Sequence, residues 1–223
     1  MTRPRDAGLP PGACTLVVIA KEPVPGLVKT RMTPEYTPEE AAALAEAALA
    51  DTLHTVCSLP ARRRLLVLEG APGPWLPDPG FEVVPQIGAG LDERLAHAFA
   101  ACSGPTLLIG MDTPQVSREL LAPALAPDAW DRADAWFGPS RDGGFWALGL
   151  ADPDPDLLRG VPMSTEHTGR IQYGRLVRAG LRVGDLERIT DVDTARDAAL
   201  VASLVPDSRF ARAVRRAGAG CRR

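Results

Sequence analysis

Cationic side chains follow the first apolar run of the chain, in a loop stiffened by two prolines and a glycine. Residues 14–20 form the run, and the loop of residues 20–31 presents Lys21, Lys29 and Arg31. A lysine offers phosphate oxygens a compact charge and an arginine offers them a bidentate fork. The loop therefore predicts contacts with phosphate groups, although a solvated basic loop is the alternative. With one glycine it is not the phosphate loop of the ATPases.

An acid stands at the end of another apolar run. Asp112 lies in residues 110–114, directly after a strand expected at residues 106–110. Mg²⁺ and Mn²⁺ prefer oxygen ligands and bind one or two protein carboxylates together with phosphate oxygens and water. Asp112 is therefore a candidate metal ligand. The alternative is that Asp112 or Thr113 caps a helix that begins near Ser117.

A second acidic pair, Asp191 and Asp193, precedes a helix expected to begin at Thr194. Acids spaced two apart on an extended segment point to the same side and could share a cation. If Asp112 and Asp193 end neighbouring strands, they would hold one ion from opposite sides. The alternative is another helix cap.

A glycine turn supplies a further candidate site. Asp142 precedes Gly143 and Gly144, which would let the backbone approach a ligand closely, although such turns are also common hairpin connections. Thr165 and Glu166 could hold an acceptor, or could simply belong to a helix start.

Gln86 and Gly88 follow another predicted strand and could approach a base or a sugar. The acids at residues 92 and 93 favour a helix N-terminus at this place as the alternative.

The elements that must position these residues alternate along the chain. Strands are expected at 14–20, 65–68, 81–85, 106–110 and 181–186, helices at 37–56, 91–102, 165–179 and 195–204, and a hairpin after residue 134. Alternating strands and helices predict an α/β fold with a mostly parallel sheet, which the hairpin makes mixed. In such sheets ligands bind outside the carboxyl ends of the strands, where these residues stand.

The composition sets limits on the class of protein. The chain has 223 residues, of which 45% are hydrophobic, and its formal net charge is −3. Its apolar runs are far shorter than the roughly 20 residues of a membrane span, and no signal peptide is evident. The four cysteines are scattered without a CxxC pair, which favours a reducing cytoplasm over a zinc or disulfide framework. No Gly-x-Ser-x-Gly elbow supports acyl transfer.

The domain prediction is a disordered leader at 1–12, one catalytic domain at 13–206, and a basic tail at 207–223. Residues 209–223 hold six arginines and no acid, which leaves 19 basic and 28 acidic residues in the rest. The tail could contact phosphate or nucleic acid, but a solvated helix with a frayed end is favoured. No nucleic-acid partner is expected.

Together, these segments resemble a bacterial family of GT-A-like transferases, the arsenosugar-biosynthesis-type or radical-SAM-associated glycosyltransferases. The resemblance runs from about residue 14 to 205 and is carried by residues 20–31, 110–114, 138–146, 161–165 and 191–194. The first and last of these are also similar to 2-phospholactate guanylyltransferases and molybdenum-cofactor nucleotidyltransferases. The Leu-Ala-Gly-Gly-type phosphate loop of sugar nucleotidyltransferases is absent, and one acid replaces the usual Asp-x-Asp.

The resemblance implies a GT-A nucleotide-diphospho-sugar transferase fold in which Lys29, Lys21 and Arg31 contact nucleotide phosphates. Asp112 and Asp193 would hold Mg²⁺ or Mn²⁺, and residues 142–144 would face the sugar or acceptor. The predicted roles are as follows: Lys29, Arg31 and Asp142 catalytic; Ala20, Lys21, Lys29, Gln86 and Gly88 nucleotide-binding; Gly143, Gly144, Thr165 and Glu166 for acceptor or sugar.

The expected reaction is metal-dependent glycosyl transfer from a nucleotide sugar to a small acceptor. One alternative is nucleotidylyl transfer from a nucleoside triphosphate to a phosphorylated small molecule, and another is nucleotide binding without catalysis. The sequence leaves the oligomeric state open.

Overall fold

The computed structural model describes residues 14–220, which form a seven-stranded sheet flanked by helices. The strands are β1 (Thr15–Lys21), β2 (Arg63–Glu69), β3 (Glu82–Pro85), β4 (Thr106–Gly110), β5 (Ala135–Pro139), β6 (Phe145–Leu150) and β7 (Val183–Asp185). The helices are α1 (Pro38–Ser58), α2 (Leu91–Ala100), α3 (Arg118–Leu125), α4 (Ala129–Arg132), α5 (Thr168–Arg178), α6 (Ala195–Leu204) and α7 (Arg209–Gly220).

The strand order is β3-β2-β1-β4-β6-β5-β7. β1 pairs in parallel with β2 and β4, β2 with β3, and β5 with β7, whereas β6 is antiparallel to both of its neighbours. The prediction of a mixed, mostly parallel sheet is therefore confirmed. All strands except β6 end at one edge of the sheet, and β6 begins there.

Two apolar layers cover the sheet, and β1 contributes to both. Leu16 and Val18 belong to the cluster that includes residues of α1 and α3, whereas Val17 and Ile19 belong to the cluster formed with α2 and α5. Successive side chains of a strand point to opposite faces, so a strand covered on both faces is a continuous apolar run. This explains why β1 is apolar from Leu16 to Ala20.

Local sequence signals fix the start of α1. The Thr37 hydroxyl accepts a hydrogen bond from the Glu40 amide at 3.2 Å, and the Glu40 carboxylate accepts one from the Thr37 amide at 2.8 Å. This reciprocal cap, followed by a proline in the first turn, is the predicted helix start. The helix continues to Ser58, two residues beyond the predicted end.

Several predicted bounds are wrong by a few residues. The helix predicted from Thr165 begins at Thr168. Residues 165–167 form a turn before it, in which the Thr165 amide donates a hydrogen bond to the Thr168 hydroxyl at 3.1 Å. β7 spans three residues instead of six, and α2 ends two residues early.

The C-terminal helix α7 packs onto α1 and α6. Phe210 is fully buried, and the Asp51 carboxylate of α1 accepts hydrogen bonds from the amides of Arg209 and Phe210 at 3.2 and 2.8 Å. The segment predicted as a basic tail thus contributes to the core at its beginning. The predicted leader at 1–12 and Cys221 lie outside the described residues. No helix in the described part of the chain is long and apolar enough to span a membrane.

Candidate functional site

A cleft of about 760 Å³ lies at the edge of the sheet where the parallel strands end. Most of the predicted site residues line it: Ala20, Lys21, Lys29, Arg31, Gln86, Asp112, Asp142, Gly144, Thr165, Glu166 and Asp193. Gly88 and Gly143 are not among the lining residues, but their backbone carbonyls accept hydrogen bonds that are described below. The fold thus brings segments from across the chain to one place.

Lys29 connects the first loop to both acidic segments. Its ammonium Nζ lies 2.7 Å from Asp112 Oδ1 and 3.6 Å from Asp193 Oδ1, and only 6% of its side chain is exposed. Arg31 Nη1 pairs with the other oxygen of Asp193 at 2.6 Å. The two carboxylates therefore converge on the Lys29 ammonium, and Asp193 also pairs with Arg31.

The backbone holds Lys29 in an uncommon conformation. Its φ of 51° and ψ of 35° lie in the left-handed region, and it directly precedes a short 3-10 helix, Thr30–Met32. The Met32 amide donates a hydrogen bond to the Lys29 carbonyl at 2.9 Å, and the Met32 side chain is fully buried. A non-glycine residue adopts this conformation only where its surroundings enforce it.

Asp112 and Asp193 do not end neighbouring strands, because β6 and β5 lie between β4 and β7. The segment after β7 instead crosses back to β4. The Val192 amide donates to the Asp112 carbonyl at 2.9 Å, and the Gln115 side chain donates to the Thr190 carbonyl. Neither acid caps a helix, since Ser117 caps α3 and Thr194 caps α6.

Asp191, which the sequence suggested only as a partner of Asp193 in binding a cation, lines the cleft. Burial raises the pKa of its carboxyl from 3.8 to about 6, and the negative charges of Asp142, Asp193 and Asp112 add to the shift. Its spacing two residues before Asp193 was visible in the sequence. Its burial was not, because the burial depends on the crossing segment.

A second group of cations surrounds Glu69 at the end of β2. Lys21 Nζ lies 3.1 Å from Glu69 Oε2, and Arg94 pairs with the same oxygen. The hydrogen bond from Lys21 is the main reason that the pKa of Glu69 lies below its ordinary value. The sequence analysis did not select Arg94, although it selected Gln86 and Gly88 a few residues earlier.

Two of the predicted nucleotide-binding residues support these cations. Gln86 donates its side-chain amide to the Ala20 carbonyl at 2.7 Å and accepts from Arg94 at 3.3 Å. Arg94 Nε also donates a hydrogen bond to the Gly88 carbonyl at 3.1 Å. In this arrangement, Gln86 and Gly88 orient Arg94 and the end of β1.

The turn between β5 and β6 packs against the start of α5. Asp142 Oδ1 accepts a hydrogen bond from the Gly144 amide at 2.8 Å, and the Gly143 carbonyl accepts one from the Gly169 amide at 2.8 Å. This contact keeps Asp142 next to the segment that holds Thr165 and Glu166.

The carboxylates of Asp112 and Asp193 fit a hard divalent cation. Both already face one cation, the Lys29 ammonium, and both are about one-third exposed to the cleft. Within residues 14–220, no three acidic, histidine or cysteine side chains form a ready ligand group. Such a site needs phosphate oxygens and water to complete it, as is common for Mg²⁺.

Solved structures of similar fold include a provisionally assigned nucleotide-diphospho-sugar transferase from Desulfovibrio desulfuricans G20. It is 26% identical, with a TM-score of 0.82 over 93% of this chain and 96% of the other. Rv0371c from Mycobacterium tuberculosis H37Rv, solved with manganese, is 19% identical with a TM-score of 0.51, over 85% of this chain and 97% of the other. The 2-C-methyl-D-erythritol 4-phosphate cytidylyltransferase from Thermus thermophilus is 19% identical with a TM-score of 0.50, over 87% and 99%.

The first of these structures has the same fold along nearly the whole chain, which confirms the predicted nucleotide-diphospho-sugar transferase architecture. The other two share the fold alone. No curated protein matches the sequence. The narrower resemblance to arsenosugar-type transferases stays a prediction. A family model matches residues 43–165, and the chain therefore belongs to the family described as "Uncharacterized protein conserved in bacteria (DUF2064)".

Proposed function

We propose that the protein transfers a glycosyl group from a nucleotide sugar to a small acceptor with the help of Mg²⁺ or Mn²⁺. The observation that carries the proposal is the distribution of charge in the cleft. Four cations that line the cleft, Lys21, Lys29, Arg31 and Arg94, are called the basic flank, and each is paired with Glu69, Asp112 or Asp193. Three further lining acids, Asp142, Glu166 and Asp191, are called the acidic flank. The nucleotide-diphospho-sugar transferase of similar fold supports the same class of donor.

The basic flank suits a pyrophosphate. Lys21, Lys29 and Arg31 would bind the oxygens of the donor and stabilise the negative charge that develops on the departing nucleotide. Ala20, Gln86 and Gly88 would shape the nucleotide side of the cleft, since Gln86 and Gly88 hold Arg94 in place. Most of the rate enhancement in this scheme comes from positioning and electrostatics.

Asp112 and Asp193 are the residues that would hold the metal ion. When bound, the ion would neutralise charge on the phosphates of the donor.

The acidic flank argues for an uncharged or cationic acceptor. Asp142, Glu166 and Asp191 line the cleft together with Ser140, Thr165 and Thr168, and Glu166 lies 3.4 Å from the His167 imidazole. A phosphorylated acceptor would be repelled by these carboxylates, whereas sugar hydroxyls could donate to them. Gly143, Gly144, Thr165 and Glu166 would position the acceptor, and Asp142 would accept a proton from its attacking hydroxyl.

Nucleotidylyl transfer from a nucleoside triphosphate is the second candidate. The density of cations in the loop of residues 21–31 favours it, because a triphosphate carries more charge than a nucleotide sugar. The cytidylyltransferase of the same fold agrees with this alternative but shows only the fold. Nucleotide binding without turnover is the third.

The decisive experiment combines a panel of nucleotide sugars and nucleoside triphosphates with sugar and sugar-phosphate acceptors, Mn²⁺ or Mg²⁺, and EDTA as the metal-free condition. We expect release of a nucleoside diphosphate, strongest with unphosphorylated acceptors. Asp112→Asn should lower the turnover by about 100-fold or more, because it removes a charge that holds the ion. Asp152→Asn, which alters an exposed aspartate, is the matched control.

The products separate the candidates. Pyrophosphate in place of a nucleoside diphosphate would assign nucleotidylyl transfer. Nucleotide binding without any product would support the non-catalytic alternative. If no nucleotide bound with or without metal, the proposal would be wrong.

A further inference from the structure

Lys29 is a charged side chain in a nearly closed position. Its side chain is 6% exposed, and its charge is balanced by Asp112 at 2.7 Å and Asp193 at 3.6 Å. A buried ammonium is stable only if it is paired in this manner. The space between the two carboxylates is thus filled by a cation that the chain supplies.

The same two carboxylates are the proposed metal ligands. A divalent ion binds carboxylate oxygens at about 2.1 Å, which places it within about 4 Å of an ammonium that holds the same oxygens. Charges of +2 and +1 at that separation repel each other strongly where water is partly excluded. The ammonium and the metal ion therefore compete for Asp112 and Asp193.

From this geometry we infer that Lys29 is a built-in competitor of the metal ion, which must leave the two carboxylates before the ion can bind. The inference rests on the proposed function, which identifies Asp112 and Asp193 as metal ligands. The metal site is therefore weak as long as Lys29 is paired with the two carboxylates.

The displaced Lys29 side chain would move to the phosphates of the donor. A lysine has a flexible four-carbon stem, and phosphate oxygens of a donor would give its ammonium new partners. Donor phosphates and the metal ion would then bind cooperatively, because each removes an obstacle to the other. The left-handed backbone at Lys29 fixes where the stem begins, so the movement is confined to the side chain.

The test measures binding of Mn²⁺ alone by electron paramagnetic resonance, with no donor and no measurement of activity. Lys29→Met and Lys29→Gln should bind Mn²⁺ about tenfold more tightly than the wild type, which corresponds to about 1.4 kcal/mol. Lys29→Arg keeps the positive charge and should retain the weak affinity. Lys21→Met removes the other lysine, whose partner is Glu69, and should change the affinity little.

Each outcome bears on a separate statement. Asp112→Asn should weaken Mn²⁺ binding in both the wild type and the Lys29→Met background. If it does, but Lys29→Met and Lys29→Gln bind no more tightly than the wild type, the competition is refuted and the metal site stands. If Mn²⁺ binds equally with and without Asp112, or binds to none of the variants, the metal site of the proposed function fails, and the competition fails with it.

Lys29→Met and Lys29→Gln leave Asp112 without its cation and Asp193 with Arg31 alone, and could lose stability. Thermal unfolding with and without Mn²⁺ covers this case. The increase in Tm caused by Mn²⁺ should be larger in Lys29→Met than in the wild type, because a ligand stabilises the folded state according to its affinity. An equal increase in both proteins would also refute the competition.

Discussion

Gly143 is the residue at which the β5–β6 turn and the segment before α5 come closest together. Its φ is +94°, and a Cβ atom at this position would lie 2.1 Å from the Glu166 carbonyl oxygen. Both the backbone conformation and the lack of space require glycine there. The contact is between two backbone segments, so neither can yield by rotating a side chain.

Gly143→Ala should therefore destabilise the protein by about 2–4 kcal/mol, measured by chemical denaturation, since a steric clash adds to a strained φ. Gly160→Ala is the matched control, because Gly160 has a φ of +71° but open space where its Cβ would be. Gly160→Ala should lower the free energy of unfolding by only about 1 kcal/mol. Equal losses in the two variants would show that the contact with Glu166 contributes nothing.

Residues that directly follow strands could be predicted from the sequence. Lys21 and Asp112 follow apolar runs, and the rule that ligands bind at the carboxyl ends of strands selects them without a structure. Asp191 and Arg94 could not be selected in that way. The burial of Asp191 and the pairing of Arg94 with Glu69 depend on contacts between distant segments, which local patterns do not encode.

At the scale of the elements, α1 and α7 are joined by one buried carboxylate. Asp51 lies in the middle of α1, is 9% exposed, and accepts the amides of Arg209 and Phe210 at the start of α7. A carboxylate at a helix N-terminus satisfies free amides and interacts favourably with the helix dipole. Asp51 thus fixes the beginning of α7 from outside that helix.

Asp51→Ala should lower the free energy of unfolding by about 2–3 kcal/mol, because the buried amide of Phe210 and the partly buried amide of Arg209 lose their acceptor. Amide hydrogen exchange should rise first in residues 209–218. The control is Glu46→Ala on the same helix, an exposed position whose effect should stay within about 0.5 kcal/mol. Unchanged exchange in α7 of the Asp51 variant would contradict this role.

The elements themselves were largely predictable because their local signals are strong. The capping box at Thr37 fixed the start of α1, and the apolar runs marked β1 and β4. The packing of α7 was not foreseen. Six arginines dominate the composition of residues 209–223, whereas the attachment of α7 depends on Phe210 and on an acid located 158 residues before Arg209.

At the scale of the whole molecule, the fold gathers four aspartates from three segments that are far apart in sequence. Burial, followed by the charges of Asp142, Asp193 and Asp112, raises the pKa of Asp191 to about 6 from 3.8. The folded state therefore binds a proton that the unfolded chain has already released between these two pH values. The contribution of Asp191 to the free energy of unfolding therefore falls as the pH rises through this range.

Asp191→Asn should remove this pH dependence. In the presence of a chelator it should raise the free energy of unfolding on the order of 2 kcal/mol at pH 8 and have little effect near pH 4. Denaturation curves across this range provide the measurement, with Asp152→Asn as the exposed control. If Asp191→Asn raised the free energy of unfolding equally at pH 8 and near pH 4, the ionisation of Asp191 would not be the cause.

The reversed direction of β6 has a consequence for how relatives of this protein could diverge. Because β6 begins at the edge where the parallel strands end, the turn that joins it to β5 opens onto the cleft. Additional residues in this turn would extend over the cleft without disturbing the pairing of either strand. New ligand preferences could therefore evolve through insertions at this turn while the cationic loop, Asp112 and Asp193 stay unchanged.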